Sequence, residues 1–580
     1  MYSSERNIQQ LVYLLKAHNI KRVIVSPGNT NISFVGSIQD DPYFEMFSCV
    51  DERSAVYMAC GMAEYCEEPI VVSCTGATAA RNYSSGLTEA YYRKLPIIAI
   101  TSSQYFGRVG NLYPQFTDRS ILQNDVVTLS VQISTVNCDE DLWSNNVRIN
   151  NALLQVRRKC GGPVHINIET SFSADFSVSH LPRERVIHRY SRNEPLPNLE
   201  GKRICVFVGS HNRFSKELEN EIDEFCEKYN AVVLCDHTSN YKGKYRVLGG
   251  IVQCQEQYYS PARKTDVVIH IGEISGSYYS FKNTEIWRVS EDGEVRDAYK
   301  LLTAIFEMDE MSFFKEYNHT NGEYSFNSNY YTEWKNECER LYALLPELPF
   351  SNVWIAKQTA NKLPQNSVLH LGILNSLRSW NLFEIPQTVY AFSNVGGFGI
   401  DGALSSCIGS SLSDPSKTNI IVLGDLATFY DLSILGNRHV RNNVRILVVN
   451  NGTGFEMHCS GSIGNCFGSD ADKYMAGGGH FGNKSKSLLK HIANDLDFEY
   501  FAVETKSEYL SIIEYFLDEQ EHQKSIIVEA FVNVCDEEKA YNESRNLIKD
   551  AKGNAKKVIS AIVGRNGYEK LKCMAKKIRQ

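Results

Sequence analysis

Short apolar runs alternate with helix-period segments along most of this chain. The clearest runs are residues 22–25, 70–74, 97–101, 420–423 and 446–449. Each is followed by a polar or glycine-containing turn, and in the segments between them apolar residues recur every three or four positions. Buried strands give the first pattern and amphipathic helices give the second. Their alternation predicts an α/β fold of doubly wound parallel sheets with helices on both faces.

Chain length and two polar segments divide the chain into domains. A chain of 580 residues is expected to hold about three or four domains. Residues 191–201 contain two prolines, and residues 318–334 are rich in Asn, Tyr and Ser, so both are read as linkers. We predict three parallel-sheet domains and a helical extension, with the boundaries 1–188, 189–345, 346–545 and 546–580.

Two polar turns follow neighbouring predicted strands in residues 420–458. Gly424-Asp425 ends the first strand, and Asn450-Asn451 ends the second, with Asn451 26 positions after Asp425. The carboxyl ends of parallel strands form the ligand-binding edge of such a sheet, where a following helix offers its N-terminus to an anion. Carboxylate and amide oxygens suit a Mg²⁺ ion that takes its other ligands from phosphate. We therefore predict a magnesium diphosphate site on Asp425, Asn451 and Thr453; the alternative is two ordinary turns, with Asp425 as a helix N-cap.

A glutamate heads a helix in the first predicted domain. Glu52 lies in the sequence Asp-Glu-Arg-Ser after a short predicted strand. Acidic residues are favoured in the first turn of a helix by the helix dipole, so Glu52 could serve only to stabilise that turn or to pair with Arg53.

Three motifs in the first domain and two in the third resemble the thiamine diphosphate (ThDP)-dependent enzymes. They are Ser26-Pro27-Gly28, the Asp51 to Ser54 tetrapeptide, residues 75–82, Gly424-Asp425 and Asn450-Asn451. The closest resemblance, over residues 5–535, is to the menaquinone-pathway family of 2-succinyl-5-enolpyruvyl-6-hydroxy-3-cyclohexene-1-carboxylate synthases. It implies pyrimidine-binding, middle Rossmann-like and diphosphate-binding domains in that order.

The resemblance also implies cofactors, site residues and partners. The cofactors are ThDP and Mg²⁺, and the catalytic residue is Glu52, which would act as a proton-relay partner of the coenzyme's pyrimidine ring. The implied coenzyme contacts are Gly28, Thr75, Asn82, Asn375, Ser376, Gly397, Phe398, Ile400, Gly424 and Leu426. Ile400 would be the bulky residue that bends the coenzyme, or else an ordinary core residue. A homodimer or homotetramer is implied, with the pyrimidine-binding domain of one subunit facing the diphosphate-binding domain of another.

The chain departs from this family where the family binds substrate acids. The family clamps 2-oxoglutarate and isochorismate with Arg and Lys side chains. The corresponding residues here are neutral: Thr30, Gln104, Ser277-Tyr278 and Val395. Losing such charge-assisted contacts would weaken binding of those acids.

This departure leads to an expectation about the reaction. We expect ThDP-dependent decarboxylation of another 2-oxo acid, with release of an aldehyde or transfer to a polar or sugar-like acceptor. The menaquinone-pathway reaction is the alternative. Candidate substrate contacts are Thr30, Gln104, Gln115, Glu456 and His458. Glu456 and His458 could form an acid/base pair, but we favour a simpler interpretation in which one caps the following helix and the other is solvated.

Two other classes stay open. A catalytically silent relative could serve as a binding protein, although such a protein would not need Glu52. An oxidoreductase could use the middle domain for a flavin or a nicotinamide, but the first turn of that domain, residues 208–212, lacks the GxGxxG pattern of dinucleotide-binding proteins.

Composition bears on the binding partners and the cellular compartment of the protein. A net charge of −8 argues against nucleic-acid binding, and no apolar run is long enough to span a membrane. The 16 cysteines form no CxxC pair, and no signal-peptide pattern precedes them, so we expect a cytoplasmic protein with reduced thiols. The basic extension is expected to be an amphipathic helix that docks on its own acidic body, or else binds an anionic membrane surface or a partner.

Overall fold

The structure is a computed structural model that describes residues 1–192, 194–277, 279–320, 322, 326, 328–520 and 522–548. Two compact units divide the chain. The first is Met1–Glu194 with Asp292–Glu307, and the second is Pro195–Glu291 with Met308–Gln580. Tyr278 and the predicted basic helix of residues 549–580 lie outside the described residues.

Strands and helices alternate through both units. The strands are β1 Arg22–Val25, β2 Glu45–Ser48, β3 Ile70–Thr75, β4 Ile97–Ser103, β5 Leu129–Ile133, β6 Val164–Glu169, β7 His188–Ser191, β8 Ile204–Val208, β9 Val232–Cys235, β10 Arg246–Leu248, β11 Val267–Ile271, β12 Glu285–Val289, β13 Leu302–Glu307, β14 Ser367–Leu371, β15 Tyr390–Phe392, β16 Thr418–Gly424, β17 Val444–Asn450, β18 Glu499–Val503 and β19 Ile526–Phe531. The helices are α1 Arg6–Ala17, α2 Ile32–Ile38, α3 Glu52–Cys66, α4 Thr78–Asn82, α5 Ser84–Arg93, α6 Asp139–Gln155, α7 Lys216–Tyr229, α8 Gly250–Gln253, α9 Glu310–Asn318, α10 Tyr330–Ala343, α11 Asn352–Thr359, α12 Asn375–Trp380, α13 Ala403–Ser413, α14 Asp425–Tyr430, α15 Phe481–Lys484, α16 Leu488–Asp495, α17 Lys506–Phe516 and α18 Val534–Arg545.

The first unit is built on a parallel sheet with the strand order β2-β1-β3-β4-β6-β5. Successive side chains of a strand point to opposite faces of the sheet. Val71 and Ile98 accordingly belong to one buried cluster, whereas Val72 and Ala99 belong to another. The sheet is therefore covered by helices on both faces, as the apolar runs predicted.

A returning segment completes the first unit. Strand β13 pairs in parallel with β7. In the same segment Asp297 accepts a 2.8 Å hydrogen bond from Trp143 Nε1, and Glu307 lies 2.9 Å from Arg158 in an ion pair. The segment Asp292–Glu307 is thus held by both main-chain pairing and buried charge.

The second unit contains two further parallel sheets. Five strands have the order β10-β9-β8-β11-β12, and six have the order β15-β14-β16-β17-β19-β18. Three parallel sheets with covering helices confirm the predicted α/β class. The described residues include no helix that is long and apolar enough to cross a membrane.

The six-stranded sheets of the two units share one topology. In each of them the second strand lies beside the first, followed by the third, fourth, sixth and fifth. Strand order therefore reverses between β1 and β3 in one sheet and between β14 and β16 in the other. Ligands of open α/β sheets bind at the carboxyl ends of the strands at such a reversal. The candidate ligand-binding turns are therefore those after β1 and β3, and those after β14 and β16.

Candidate active site

Asp425 follows β16 directly and begins α14. Its side chain is buried, with 3% of its surface exposed. Burial raises the pKa of Asp425 to about 7, and the nearby Glu529 acts in the same direction. Main-chain N–H groups of Asp425, Leu426 and Asn451 lower it in part. A buried carboxylate of this kind favours a nearby cation, which would stabilise its charged form.

The turn after β17 brings Asn451 to Asp425. The main-chain N–H of Asn451 lies close enough to the Asp425 carboxylate to lower its pKa. The Asn451 side-chain oxygen accepts from Thr453 N at 3.2 Å. Thr453 donates its hydroxyl to Asp472 at 2.6 Å, which directs the hydroxyl hydrogen towards that carboxylate.

Glu529 on β19 fixes the start of this turn. It is fully buried and accepts hydrogen bonds from Asn450 Nδ2 and from the Tyr500 hydroxyl, each at 2.7 Å. The Asn450 side-chain oxygen in turn accepts from Gly452 N at 3.0 Å. Burial raises the pKa of Glu529, while the two hydrogen bonds oppose that rise. The sequence analysis missed this residue, although a single acid inside the apolar run 526–531 was a usable signal.

The loop after β14 carries Asn375 and Ser376 at the start of α12. Asn375 Nδ2 donates to Glu537 at 2.7 Å, and Ser376 Oγ accepts from Asn352 Nδ2 at 3.3 Å. Glu537, on α18, is 1% exposed and also accepts from Asn352 N at 2.9 Å. Burial raises its pKa, which the two hydrogen bonds oppose. Glu537 thus connects this loop to the last described helix. The sequence pattern did not predict this role of Glu537.

Glycines leave open space around these turns. A Cβ atom built on Gly397 or on Gly424 would meet no atom within 4 Å, so the space beside each of these glycines is empty of protein atoms. Phe398 adopts a positive φ of 55°, which holds the loop after β15 in a tight turn. Ile400 packs against the core cluster of this sheet from a half-buried position. Half-buried Leu426 lies one residue beyond Asp425.

Glu52 begins α3 in the first unit. Asp51 caps the helix by accepting from Ser54 N at 2.7 Å. One Glu52 carboxylate oxygen accepts from Asn82 Nδ2, at the end of α4, at 3.0 Å. The structure therefore brings together two residues that the sequence analysis assigned to the coenzyme site.

Gly28, Thr30 and Thr75 meet at the strand reversal of the first unit. The Thr30 hydroxyl hydrogen-bonds with the Thr75 hydroxyl and donates to Ser102 O at 2.7 Å. A Cβ on Gly28 would lie only 2.7 Å from Thr75 Cβ, so only glycine allows this approach. The turns after β1, β3 and β4 are thereby held in one group.

The other predicted substrate contacts lie in loops at strand ends. The side-chain oxygen of Gln104, just after β4, accepts a hydrogen bond from Arg108. Gln115 is exposed and has a positive φ of 69°. Val395 is buried.

Glu456 and His458 make contacts other than those that the favoured interpretation predicts. Glu456 accepts hydrogen bonds of 2.5 and 2.6 Å from Arg378 Nη1, and His458 Nε2 lies 3.0 Å from Asp472. The expectation of one helix cap and one solvated side chain is therefore wrong. The sequence could not reveal it, because Arg378 lies 78 positions before Glu456.

The residues of the second unit fit a metal-bound diphosphate. A buried carboxylate and an amide turn supply hard oxygen atoms, and the open glycine turns leave room for a ligand. In the first unit, Glu52 stands at a helix start with a fixed hydrogen-bond donor beside it. Together with the parallel sheets, these residues define the class of ThDP-dependent enzymes.

Comparison with known proteins supports this class and narrows it. A family model described as "Thiamine pyrophosphate enzyme, N-terminal TPP binding domain" matches residues 7–128. The 2-succinyl-5-enolpyruvyl-6-hydroxy-3-cyclohexene-1-carboxylate synthase of Bacteroides thetaiotaomicron is 30% identical over 576 residues, covering 95% of this chain and 99% of that relative. The synthase of the same name from Phocaeicola vulgatus is 28% identical over 92% of this chain and 96% of its own. The chain therefore belongs to the 2-succinyl-5-enolpyruvyl-6-hydroxy-3-cyclohexene-1-carboxylate synthase family, whose enzymes use ThDP and a divalent metal.

A solved structure gives a weaker likeness. The Rhodococcus jostii RHA1 thiamine diphosphate-dependent 4-hydroxybenzoylformate decarboxylase is 15% identical, over 91% of this chain and 99% of its own, with a TM-score of 0.39. A similarity this low supports no inference about the activity of this chain.

The expected reaction is corrected by the full-length relatives. Decarboxylation of another 2-oxo acid, with aldehyde release or transfer to a polar or sugar-like acceptor, was favoured because four clamp positions are neutral. That expectation is wrong: three relatives that match 92–95% of this chain share one synthase name, and the menaquinone-pathway alternative fits them better. Neutral side chains at positions compared one by one do not exclude binding of these acids, because hydrogen-bond donors elsewhere in the folded chain can also bind a carboxylate.

Proposed function

We propose that this chain catalyses the reaction for which its relatives are named. In that reaction 2-oxoglutarate loses carbon dioxide and its remaining four-carbon unit is joined to isochorismate, giving 2-succinyl-5-enolpyruvyl-6-hydroxy-3-cyclohexene-1-carboxylate. The observation that carries the proposal is 30% identity over 95% of this chain and 99% of a synthase with that name. The enzyme would be a transferase rather than a lyase, since the four-carbon unit stays with the product.

Glu52 is proposed to move the proton that this chemistry requires. Asn82 holds one carboxylate oxygen at 3.0 Å, while the other oxygen accepts no hydrogen bond within the described residues. That second oxygen would bond to the ring nitrogen of the coenzyme's pyrimidine and hold or release a proton there. Glu52 is thus a proton-transfer group and not a nucleophile.

Asp425 and Asn451 are proposed to hold the divalent metal, and through it the diphosphate. Thr453, in the same turn as Asn451, would add a third oxygen. The bound coenzyme supplies the electron sink for decarboxylation that no protein side chain provides. Asn375 and Ser376 would contact the diphosphate from the loop that Glu537 holds.

A homodimer is proposed as the smallest active assembly. Helix α3, which begins with Glu52, carries Tyr57, Met58 and Tyr65 with exposed fractions of 47%, 38% and 94%. A Cβ on Gly61, in the same helix, would meet no atom within 4 Å. Apolar side chains exposed together on one helix suit burial against a second copy. Glu52 would then serve a site that also contains Asp425 from the other copy.

One assay tests the proposed function. Purified protein is incubated with ThDP, Mg²⁺, 2-oxoglutarate and isochorismate, and carbon dioxide and the product mass are both measured. Pyruvate in place of 2-oxoglutarate is the substrate control, and Glu52→Gln is the enzyme control. Product from the wild-type protein alone is expected. Wild-type protein that binds ThDP but yields neither carbon dioxide nor product would reject the proposal.

A further inference from the structure

Arg108 lies in a short, well-anchored turn at the ligand-binding edge of the first unit. The turn Phe106–Arg108 follows β4. Phe106 N donates to Glu169 at 2.8 Å, and Glu169, 3% exposed at the end of β6, also accepts from Thr135 N at 2.8 Å. A buried carboxylate therefore fixes the main chain beside Arg108, which distinguishes this residue from a mobile surface arginine.

The Arg108 side chain is oriented without being neutralised. Its Nη1 donates to the neutral side-chain oxygen of Gln104. Its guanidinium carbon lies 5.1 Å from the ring centre of Tyr113 and 5.6 Å from that of Phe116. Within the described residues Arg108 forms no ion pair, and its Nε and Nη2 make no hydrogen bond. An arginine held by an amide and two rings in this way presents free N–H donors in a fixed direction.

A second cation strengthens the positive charge at this edge. Arg119 is 3% exposed, and a Cβ built on Gly76 would lie 2.8 Å from one of its terminal nitrogens. Arg119 donates to Asn167 Oδ1 at 3.1 Å, but its Nε has no hydrogen-bond partner within the described chain. Gly76 follows β3 and Gln104 follows β4, which are neighbouring strands. Arg119 therefore lies at the turn after β3, where Gly76 N donates to the Thr30 hydroxyl, and Arg108 lies at the turn after the neighbouring strand β4.

We propose that Arg108 is the carboxylate anchor for a substrate of this enzyme. The proposal rests on the proposed function and deepens it by naming a specificity-determining residue. Thr30 and Gln104 are neutral, and Gln104 would serve to hold Arg108 while Arg108 contributes the charge. A planar guanidinium matches a carboxylate through two parallel hydrogen bonds.

Binding of unreactive acids tests this anchor. The holoenzyme, loaded with ThDP and Mg²⁺, is titrated in a calorimeter with glutarate, which resembles 2-oxoglutarate, and with cyclohexene-1-carboxylate, which resembles the ring acceptor. Glutaramide and cyclohexene-1-carboxamide are the matched ligands, in which a neutral amide replaces every carboxylate. Arg108→Gln is expected to weaken binding of one of the two acids by about 10- to 100-fold, as loss of a charge-assisted hydrogen bond does. Binding of the matched ligands is expected to be unchanged.

The two acids distinguish donor from acceptor. Weaker binding of glutarate places Arg108 on the donor, and weaker binding of cyclohexene-1-carboxylate places it on the acceptor. Either result supports the anchor. Unchanged binding of both acids, or a wild-type protein that binds neither acid more tightly than its matched ligand, would overturn it.

Control variants separate charge from folding. Arg183→Gln removes the same charge from an exposed residue that makes no hydrogen bond or ion pair within the described residues, and it is expected to bind both acids normally. Arg108→Lys keeps the charge without the planar fork, so partial rescue is expected. Gln104→Ala retains Arg108 but removes the hydrogen bond that orients it, so a smaller loss of acid binding is expected. All variants should keep ThDP-dependent thermal stabilisation.

Steady-state kinetics keep the two proposals distinct. If the wild-type enzyme forms product, Arg108→Gln should raise the KM of the anchored substrate with little change in kcat. An equal KM would reject the anchor and leave the proposed function standing. If the wild-type enzyme forms no product, the proposed function fails, and the binding titrations still decide whether Arg108 recognises a carboxylate.

Discussion

At the residue scale, Glu52 combines an exposed helix start with a fixed hydrogen-bond partner. Replacing it with Gln keeps the shape and the contact with Asn82 but removes the group that holds and releases a proton. We expect kcat to fall by about 10²- to 10⁴-fold. Coenzyme-dependent thermal stabilisation should persist, because the diphosphate residues are untouched.

The control for Glu52 lies on the same helix. Glu64→Gln removes an equal charge from α3 and loses only an exposed ion pair with Arg93. It should retain nearly full activity. Comparable activity of Glu52→Gln and Glu64→Gln would rule out the assigned proton transfer.

Asp425 makes the metal-free protein sensitive to pH. Its pKa is raised by burial from an ordinary value of 3.8 to about 7. A raised acid pKa contributes stability that is present below the unfolded value and lost as pH rises through the folded value. Without metal, the wild-type protein should therefore lose stability relative to Asp425→Asn as pH rises from about 4 to about 7, with no further loss above that range.

Thermal unfolding in chelator measures this difference. The melting temperatures of the wild type and Asp425→Asn are compared across that pH range, so that other titrating groups cancel. With ThDP and Mg²⁺ added, the wild type should gain stability and the variant should not, because a divalent ion favours the charged carboxylate. A difference that does not change with pH would contradict the raised pKa.

At the scale of elements, α18 supports the loop after β14 through one buried carboxylate. Glu537→Ala would leave Asn352 N and Asn375 Nδ2 without their acceptor. Loosening a supporting contact of this kind typically weakens ligand binding by about 10- to 100-fold. We expect the dissociation constant of ThDP, measured calorimetrically with Mg²⁺, to rise by that factor.

Glu538 offers a neighbouring comparison. Its side chain makes no hydrogen bond or ion pair within the described residues, so Glu538→Ala should bind ThDP like the wild type. If both variants bound the coenzyme equally well, α18 would have no part in shaping the loop.

The strand ends are the part of the site that sequence predicts best. Asp425 and Asn451 were placed correctly at the ends of β16 and β17, because apolar runs ending in polar turns mark the edge of a parallel sheet. The helix after Asp425 is short: α14 ends at Tyr430, and a 3₁₀ turn, Leu432–Gly436, continues the helical path. Periodicity does not distinguish these two helical forms over so few residues.

Supporting contacts between distant positions could not be predicted. Asn450 and Glu529 are 79 positions apart, and Asn375 and Glu537 are 162 apart. No local pattern links such pairs, because they are neighbours only once the sheet is formed. The hydrogen bond between Arg108 and Gln104 joins residues only four positions apart, but it depends on the turn after β4, which no periodic pattern defines.

At the scale of the whole molecule, the proposed dimer allows two inactive variants to repair each other. Glu52→Gln and Asp425→Asn are each expected to be inactive. If each site combines Glu52 of one copy with Asp425 of the other, a mixed dimer has one intact site and one doubly altered site. Random mixing would then restore about a quarter of the wild-type activity.

The mixing measurement requires subunit exchange. The two variants are unfolded and refolded together, or coexpressed with different tags and purified through both. A site formed within a single chain would give no recovery, since every site would keep one defect. Recovered activity that depends on mixing would establish the shared site.

The return of residues 292–307 to the first unit limits how this protein can be dissected. A fragment ending at Glu194 would contain β1 to β7 but would lack β13, leaving the edge of β7 unpaired. Trp143 and Arg158 would also lose their acidic partners, Asp297 and Glu307. Open strand edges promote aggregation. A soluble excised version of this unit would therefore need the later segment joined to it through a designed connection.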